Sequence, residues 1–162
     1  MELRYGVIGT GMMGVEHINN LLHVDGTVVT AIADPDPGSR ETASALVPGA
    51  TVHTDHRALI DSGECDAVVV ASPNMTHIDV LRDLLATDLH VLVEKPLCTT
   101  IDDCYEVMDL AAVRDAVTWV GLEYRYIPPI ARLIEAVDDG AVGRPRMVCL
   151  LYTSPSPRDL AQ

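Results

Sequence analysis

Short β-branched apolar runs alternate along the chain with stretches whose apolar residues recur every three to four positions. Such alternation predicts βαβ units, hence a parallel sheet with helices packed on it. Residues 5–8 form the first expected strand, 27–33 the second, 50–53 a weak third and 66–71 the fourth. In the fourth, Val68, Val69 and Val70 are consecutive, so both faces of that strand must be covered. Residues 90–93 give a fifth strand, and Trp119 and Val120 fall in a sixth. Val15, Ile18 and Leu22 share one side of a helix from 12 to about 22, and 76 to about 87 is helical as well. Ile101, Cys104, Met108 and Ala111 recur at helical spacing, with Thr100 as N-cap and Asp102 and Asp103 near the positive end. Pro129 opens a last helix carrying Ile130, Leu133, Ile134 and Val137, which Gly140 closes.

Length narrows the picture: 162 residues make one ordinary domain and leave no room for a two-domain enzyme. With 48% hydrophobic residues and a mean hydropathy of +0.20, the chain is too apolar for disorder. No apolar run approaches the roughly 20 residues of a membrane helix. Eleven basic against 24 acidic residues leave a net charge of −13, so nucleic acid and anionic membrane surfaces would be repelled and neither is expected as a partner. Cys65, Cys98, Cys104 and Cys149 form no CxxC pair, and the chain enters a strand-like run without a leader pattern. Both point to a reducing, cytoplasmic setting. Ten of the basic residues are arginine, and Lys95 is the one lysine.

Residues 149–159 break the pattern, with two prolines and two serines where a strand should continue. Their sequence, CLLYTSPSPRD, resembles the translation of a transposase-end adapter used to prepare sequencing libraries. Residues 149–162 are therefore expected to be a non-native tail on a chain truncated near Val148.

The chemistry clusters where strands end. Gly9-Thr10-Gly11-Met12-Met13-Gly14 is a GxGxxG between a strand and a helix, the arrangement that seats a pyrophosphate on unpaired N–H groups. Asp34 closes the second strand 20 residues after Gly14, the place from which a carboxylate takes both ribose hydroxyls. Facing the extra phosphate of NADP, that carboxylate favours NAD. Arg40 could either stack on adenine or partly rescue NADP. Ser72, Asn74 and His77 follow the fourth strand, with His77 as able to pack on the next helix as to touch a ligand. Glu94-Lys95-Pro96 ends the fifth strand and aims the lone lysine at the same edge. There, desolvation and a nicotinium charge would favour an amine that exchanges protons, unless it merely pairs with Glu94. His53, Asp55 and His56 offer three ligand types close together, but nothing fixes a fourth, so a solvated loop is expected rather than a metal site.

GVIGTGMMG, Ser72-Pro73-Asn74 with His77, Glu94-Lys95-Pro96 and the 120–126 segment resemble, in order and spacing, the glucose-fructose oxidoreductase / inositol dehydrogenase / rhizopine-catabolism (Gfo/Idh/MocA) family over residues 3–148. The resemblance implies a Rossmann-type doubly wound sheet in the order 3-2-1-4-5-6, with residues 1–120 as the dinucleotide-binding domain. Residues 121–148 would begin a second, substrate-binding domain whose remainder is missing. It further implies that Gly9, Thr10, Gly11, Met12, Met13, Gly14 and Asp34 hold NAD while Ser72, Asn74 and His77 line the crevice. Glu94 and Lys95 would contact the nicotinamide ribose and the reacting carbon, with Lys95 catalytic, and Arg125 would anchor the nicotinamide end. The expected whole protein is a homo-oligomeric NAD-dependent oxidoreductase of a sugar, cyclitol or related polyol. Members of the family that cleave glycosidic bonds with NAD, and a non-catalytic dinucleotide-binding module, stay open as alternatives. The family's usual Asp-x-x-x-His base is absent: Met13, Asn19, Gly49, Val52, Pro73 and Ala86 stand four residues before the six histidines.

Overall fold

A computed structural model describes residues 2–147; the adapter-like stretch and Cys149 lie outside the described residues. Contacts divide the chain into two compact units, Met1–Leu122 and Glu123–Gln162.

The first unit is built on strands β1 (Leu3–Ile8), β2 (Thr27–Ala33), β3 (Thr51–His53), β4 (Ala67–Val70), β5 (His90–Val93) and β6 (Thr118–Val120). They form one sheet in the order β3-β2-β1-β4-β5-β6, and every pairing is parallel. Strand β4 is buried along its whole length, as its valine run requires. Its side chains alternate by the two-residue period: Val68 and Val70 enter one core and Val69 the other. The helices sort accordingly. Ile18 of α1 (Met12–Leu21) and Ala43 of α2 (Pro37–Leu46) join Val69, Val7 and Ile32. Leu59 of α3 (His56–Asp61), Leu81 and Leu84 of α4 (His77–Leu85) and Val107 of α5 (Ile101–Ala112) cover the opposite face. This is the doubly wound layering expected, with the order reversing between β1 and β4.

Several local expectations are corrected. Helices α2 and α3 were not anticipated; each starts on an aspartate cap, Asp36 accepting from Ser39 N–H and Asp55 from Ala58 N–H. The His53–His56 stretch is thus a strand end and a capped helix start rather than a solvated loop, and His56 Nε2 lies 2.7 Å from Asp83. Thr100 caps α5 as read, but the helix turns Val107 inward while Ile101 and Met108 stay exposed. On α1, Leu21 packs and Leu22 is exposed.

The second unit holds a 3₁₀ turn, Glu123–Tyr126, and helix α6 (Pro128–Asp138), which starts one residue earlier than expected and buries none of its residues. Gly140 follows it at φ +72°, a helix-closing conformation.

Candidate functional site

The carboxyl ends of β2, β1, β4 and β5 each deliver one piece of the site. At the end of β1, Gly9 has φ +85°, and a side chain there would strike Ser72 N at 2.5 Å. The two loops that diverge at the switch point therefore touch. Gly9 N–H donates to Ala33 O at 2.8 Å, joining the end of β1 to that of β2. Gly11 is the N-cap of α1 without a side-chain cap, and a Cβ added to it meets nothing within 4 Å. At Gly14 the same Cβ would sit 1.9 Å from Gly9 O. The first turn of α1 thus presents free N–H donors over an open approach, while its underside presses on the glycine turn.

Asp34 braces this loop. Its Oδ2 accepts from Thr10 N–H at 2.7 Å and its Oδ1 from Asp36 N–H at 2.8 Å. Each oxygen keeps lone-pair capacity, and the residue lines a cleft of about 770 Å³ with Gly9, Gly11, Met12, Met13 and Ser72. Three more carboxylate residues, Asp36, Asp55 and Asp79, line it, and no lysine or arginine among the described residues does. Helix N-terminal N–H groups of Ser39 and Ala58 hold the Asp36 and Asp55 carboxyls below their ordinary pKa. An acidic cleft of this kind suits a ligand that brings ribose hydroxyls and rests its phosphates on backbone N–H groups. Arg40 is not part of the lining; its guanidinium donates to Asp34 O at 2.7 Å and Pro35 O at 2.9 Å, two residues that are.

Four more of the anticipated cofactor contacts are placed differently. Thr10 is 1% exposed, its hydroxyl buried without a partner, so only its backbone serves the loop. Gly14 lies behind the loop against Gly9. Asn74 is exposed at the start of the 3₁₀ turn Asn74–Thr76, outside the cleft lining. His77 is fully buried, with Nδ1 2.9 Å from Pro96 O and Nε2 3.0 Å from Ser72 O. It is enclosed between the β4 and β5 loops and is absent from the cleft lining, with a main-chain carbonyl facing each ring nitrogen, at least one of which accepts from the ring.

At the end of β5, Glu94 is 8% exposed. Its Oε1 lies 2.8 Å from His17 Nε2 on α1, and its Oε2 accepts from Lys95 N–H at 3.1 Å. The carboxylate is therefore taken by His17, which sequence reasoning missed, and not by the Lys95 side chain. Lys95 is exposed, precedes a cis Lys95-Pro96 bond, and has no carboxylate within salt-bridge distance among the described residues. Arg125 sits exposed in the 3₁₀ turn of the second unit. Ser39, Thr54, Pro73 and Thr76 also line the cleft and were not anticipated; the Asp36-Pro37 helix start was the one available signal for Ser39.

A profile described as "oxidoreductase family, NAD-binding Rossmann fold" matches residues 3–122. Inositol 2-dehydrogenase 2 of Saccharopolyspora erythraea is 39% identical over 151 residues, covering 91% of this chain and 44% of the relative. Inositol 2-dehydrogenase 2 of Paenarthrobacter aurescens is 38% identical, covering 91% and 46%. Among solved structures, myo-inositol dehydrogenase from Lactobacillus casei, in complex with NAD(H) and myo-inositol, superposes with a TM-score of 0.83 at 34% identity. That match covers 90% of this chain and 44% of that one. The chain thus spans less than half the length of these relatives, and it belongs to the Gfo/Idh/MocA oxidoreductase family, whose NAD-binding Rossmann fold it carries.

Proposed function

We propose that this chain is the cofactor-binding part of an NAD-dependent dehydrogenase that oxidises a secondary alcohol of a cyclitol such as inositol, or of a related polyol. One observation carries the reading. Asp34, the Gly9–Gly14 turn, Ser72 and the Glu94-Lys95 pair stand at the carboxyl ends of four adjacent strands. At ~4.8 Å per strand this row extends about 14 Å, which lets one dinucleotide run from Asp34 to Lys95. Bound there, NAD supplies the hydride acceptor. The chain's own groups hold its phosphates on the α1 N-terminus and its adenosine ribose on Asp34. Lys95, which no carboxylate among the described residues pairs, is the group that polarises the substrate hydroxyl or takes its proton at Nζ. Substrate pockets, the exclusion of water and self-association are assigned to the second domain, of which residues 121–148 are the beginning. Residues 149–162 are assigned to neither domain, and sequencing the source locus through Val148 tests that.

Joining residues 1–148 to the second domain of a homologous inositol dehydrogenase tests the function. Myo-inositol-dependent NADH formation, lost at least about 100-fold in Lys95→Ala with NAD affinity retained, is the expected result. Without the second domain, the 162-residue chain should bind NAD and turn nothing over. Polyol-dependent NADH formation by the short chain, above that of its Lys95→Ala variant, would overturn the reading.

A further inference from the structure

Glu94 and His17 are 77 residues apart in sequence, yet their side chains meet at 2.8 Å and are only 11% and 21% exposed. His17 stands half-way along α1, the helix whose first turn offers its N–H groups to the phosphates. Gly121, just past β6, also lies close: a Cβ there would be 3.4 Å from Val93 O and 3.6 Å from Glu94 Oε1. Glu94 is thus boxed by three elements. With Oε1 tied to His17 and Oε2 to the Lys95 N–H, its carboxylate cannot swing without breaking a hydrogen bond. Its remaining lone pairs are left for hydroxyl donors at the end of β5.

We infer that His17 is a positioning residue for the nicotinamide end of the site: it fixes the Glu94 carboxylate, and through the Lys95 N–H the loop that carries Lys95. This rests on the proposed cofactor reading. The consequence is that one rigid helix sets both halves of the dinucleotide site, phosphates by its N-terminus and nicotinamide ribose through His17. In a loosely packed surface pair such a role would be weak. Here both partners are largely desolvated, so removing the imidazole leaves Glu94 to turn toward water.

The test uses the chain itself and two ligands, NAD and ADP, titrated by calorimetry. ADP shares the adenosine and both phosphates but lacks the nicotinamide riboside. In the unmutated chain NAD should bind more tightly than ADP. His17→Ala should weaken NAD about tenfold and leave ADP within about twofold. His17→Gln, whose amide N–H reaches the place of Nε2, should recover most of the loss. Should the alanine variant not fold, His17→Asn, too short to reach Glu94, takes its place with the same expected loss. Equal weakening of NAD and ADP would make His17 merely structural and overturn the inference, as would no change in either. Failure of the unmutated chain to bind both ligands would instead bring down the cofactor reading, and this inference with it.

Discussion

Asp34 Oδ2 and the Thr10 N–H lie 2.7 Å apart, so the carboxylate at the end of β2 fastens the glycine loop at the end of β1. On the proposed cofactor reading one side chain serves two purposes, shaping the loop that would seat the phosphates and presenting negative charge to the ribose. A ribose held there would bring any group on its 2′ position toward that charge, and Asp36 lines the same cleft.

Cofactor preference should follow from this. NAD should bind the chain more tightly than NADP, and Asp34→Ser should narrow the gap by at least about tenfold, since a like charge at close range is removed. Part of the change should appear as weaker NAD, because the loop loses its brace as well as a hydroxyl acceptor. Parallel titrations of both cofactors with both proteins measure this, and equal NAD and NADP affinities in the unmutated chain would count against the assignment.

The glycines of the loop should separate stability from binding. An alanine methyl at Gly14 is directed into Gly9 O at 1.9 Å, backbone that cannot step aside, so Gly14→Ala should cost about 2 kcal/mol or more. At Gly11 the methyl meets no protein atom within 4 Å, and Gly11→Ala should cost less than about 1 kcal/mol. It should nevertheless weaken NAD about tenfold, because the methyl takes the space a phosphate needs to reach the backbone. Urea unfolding alongside NAD titration distinguishes the two, and undiminished NAD binding by Gly11→Ala would show that phosphates approach elsewhere.

What the sequence made legible were features with a local signature. The consecutive valines of β4, the GxGxxG after β1, the Thr100 cap and Gly140 are all set by neighbours within a few residues, and each stands where it was expected. Helix α2 was hidden because Pro37 and Gly38 read as a turn and its inward face is chiefly Ala43. Helix α3 is six residues long with Leu59 alone buried, too short for any periodicity to show. The site's wiring was illegible for another reason. His17 meets Glu94, and His77 meets residues 72, 96 and 97, only after the sheet has brought loops together, and no spacing along the chain encodes such pairs.

Acid stability should depend on the pair that fastens the start of β1 to the residue before β4. Arg4 Nε and a terminal guanidinium nitrogen bind the Asp66 carboxylate at 3.1 and 2.6 Å, and the Arg4 N–H adds a third bond at 3.0 Å. The Arg4 side chain above all lowers the Asp66 pKa from 3.8 to about 2. A carboxyl with a depressed folded pKa contributes stability above its unfolded value and loses it as pH falls through the folded one. The contribution should therefore be full above pH 4 and fade toward pH 2. Asp66→Asn should be less stable than the unmutated chain at neutral pH, with the two melting curves converging near pH 2. Added salt should shrink the difference, because both side chains are partly exposed. A constant difference across that range would assign the effect to the hydrogen bonds and not to the charge.

The buried His77 gives the last prediction. Its ring is enclosed between the loop after β4 and the loop after β5, with Nε2 3.0 Å from Ser72 O and Nδ1 2.9 and 3.2 Å from Pro96 O and Leu97 O. Whatever tautomer or charge the ring adopts, at least one nitrogen donates, so the imidazole supplies hydrogen bonding that a hydrocarbon ring cannot. His77→Phe keeps most of the volume and removes every donor, leaving buried carbonyls unpaired, and should cost about 2–3 kcal/mol. His77→Ala adds a cavity and should cost more, about 3–5 kcal/mol. Because the ring is 0% exposed, neither variant removes a group that a ligand touches. NAD affinity of the folded fraction should therefore fall only a few-fold, through a looser Ser72 loop. Urea midpoints and NAD titrations of both variants check this, and a stable His77→Phe that has lost NAD binding altogether would return His77 to the crevice.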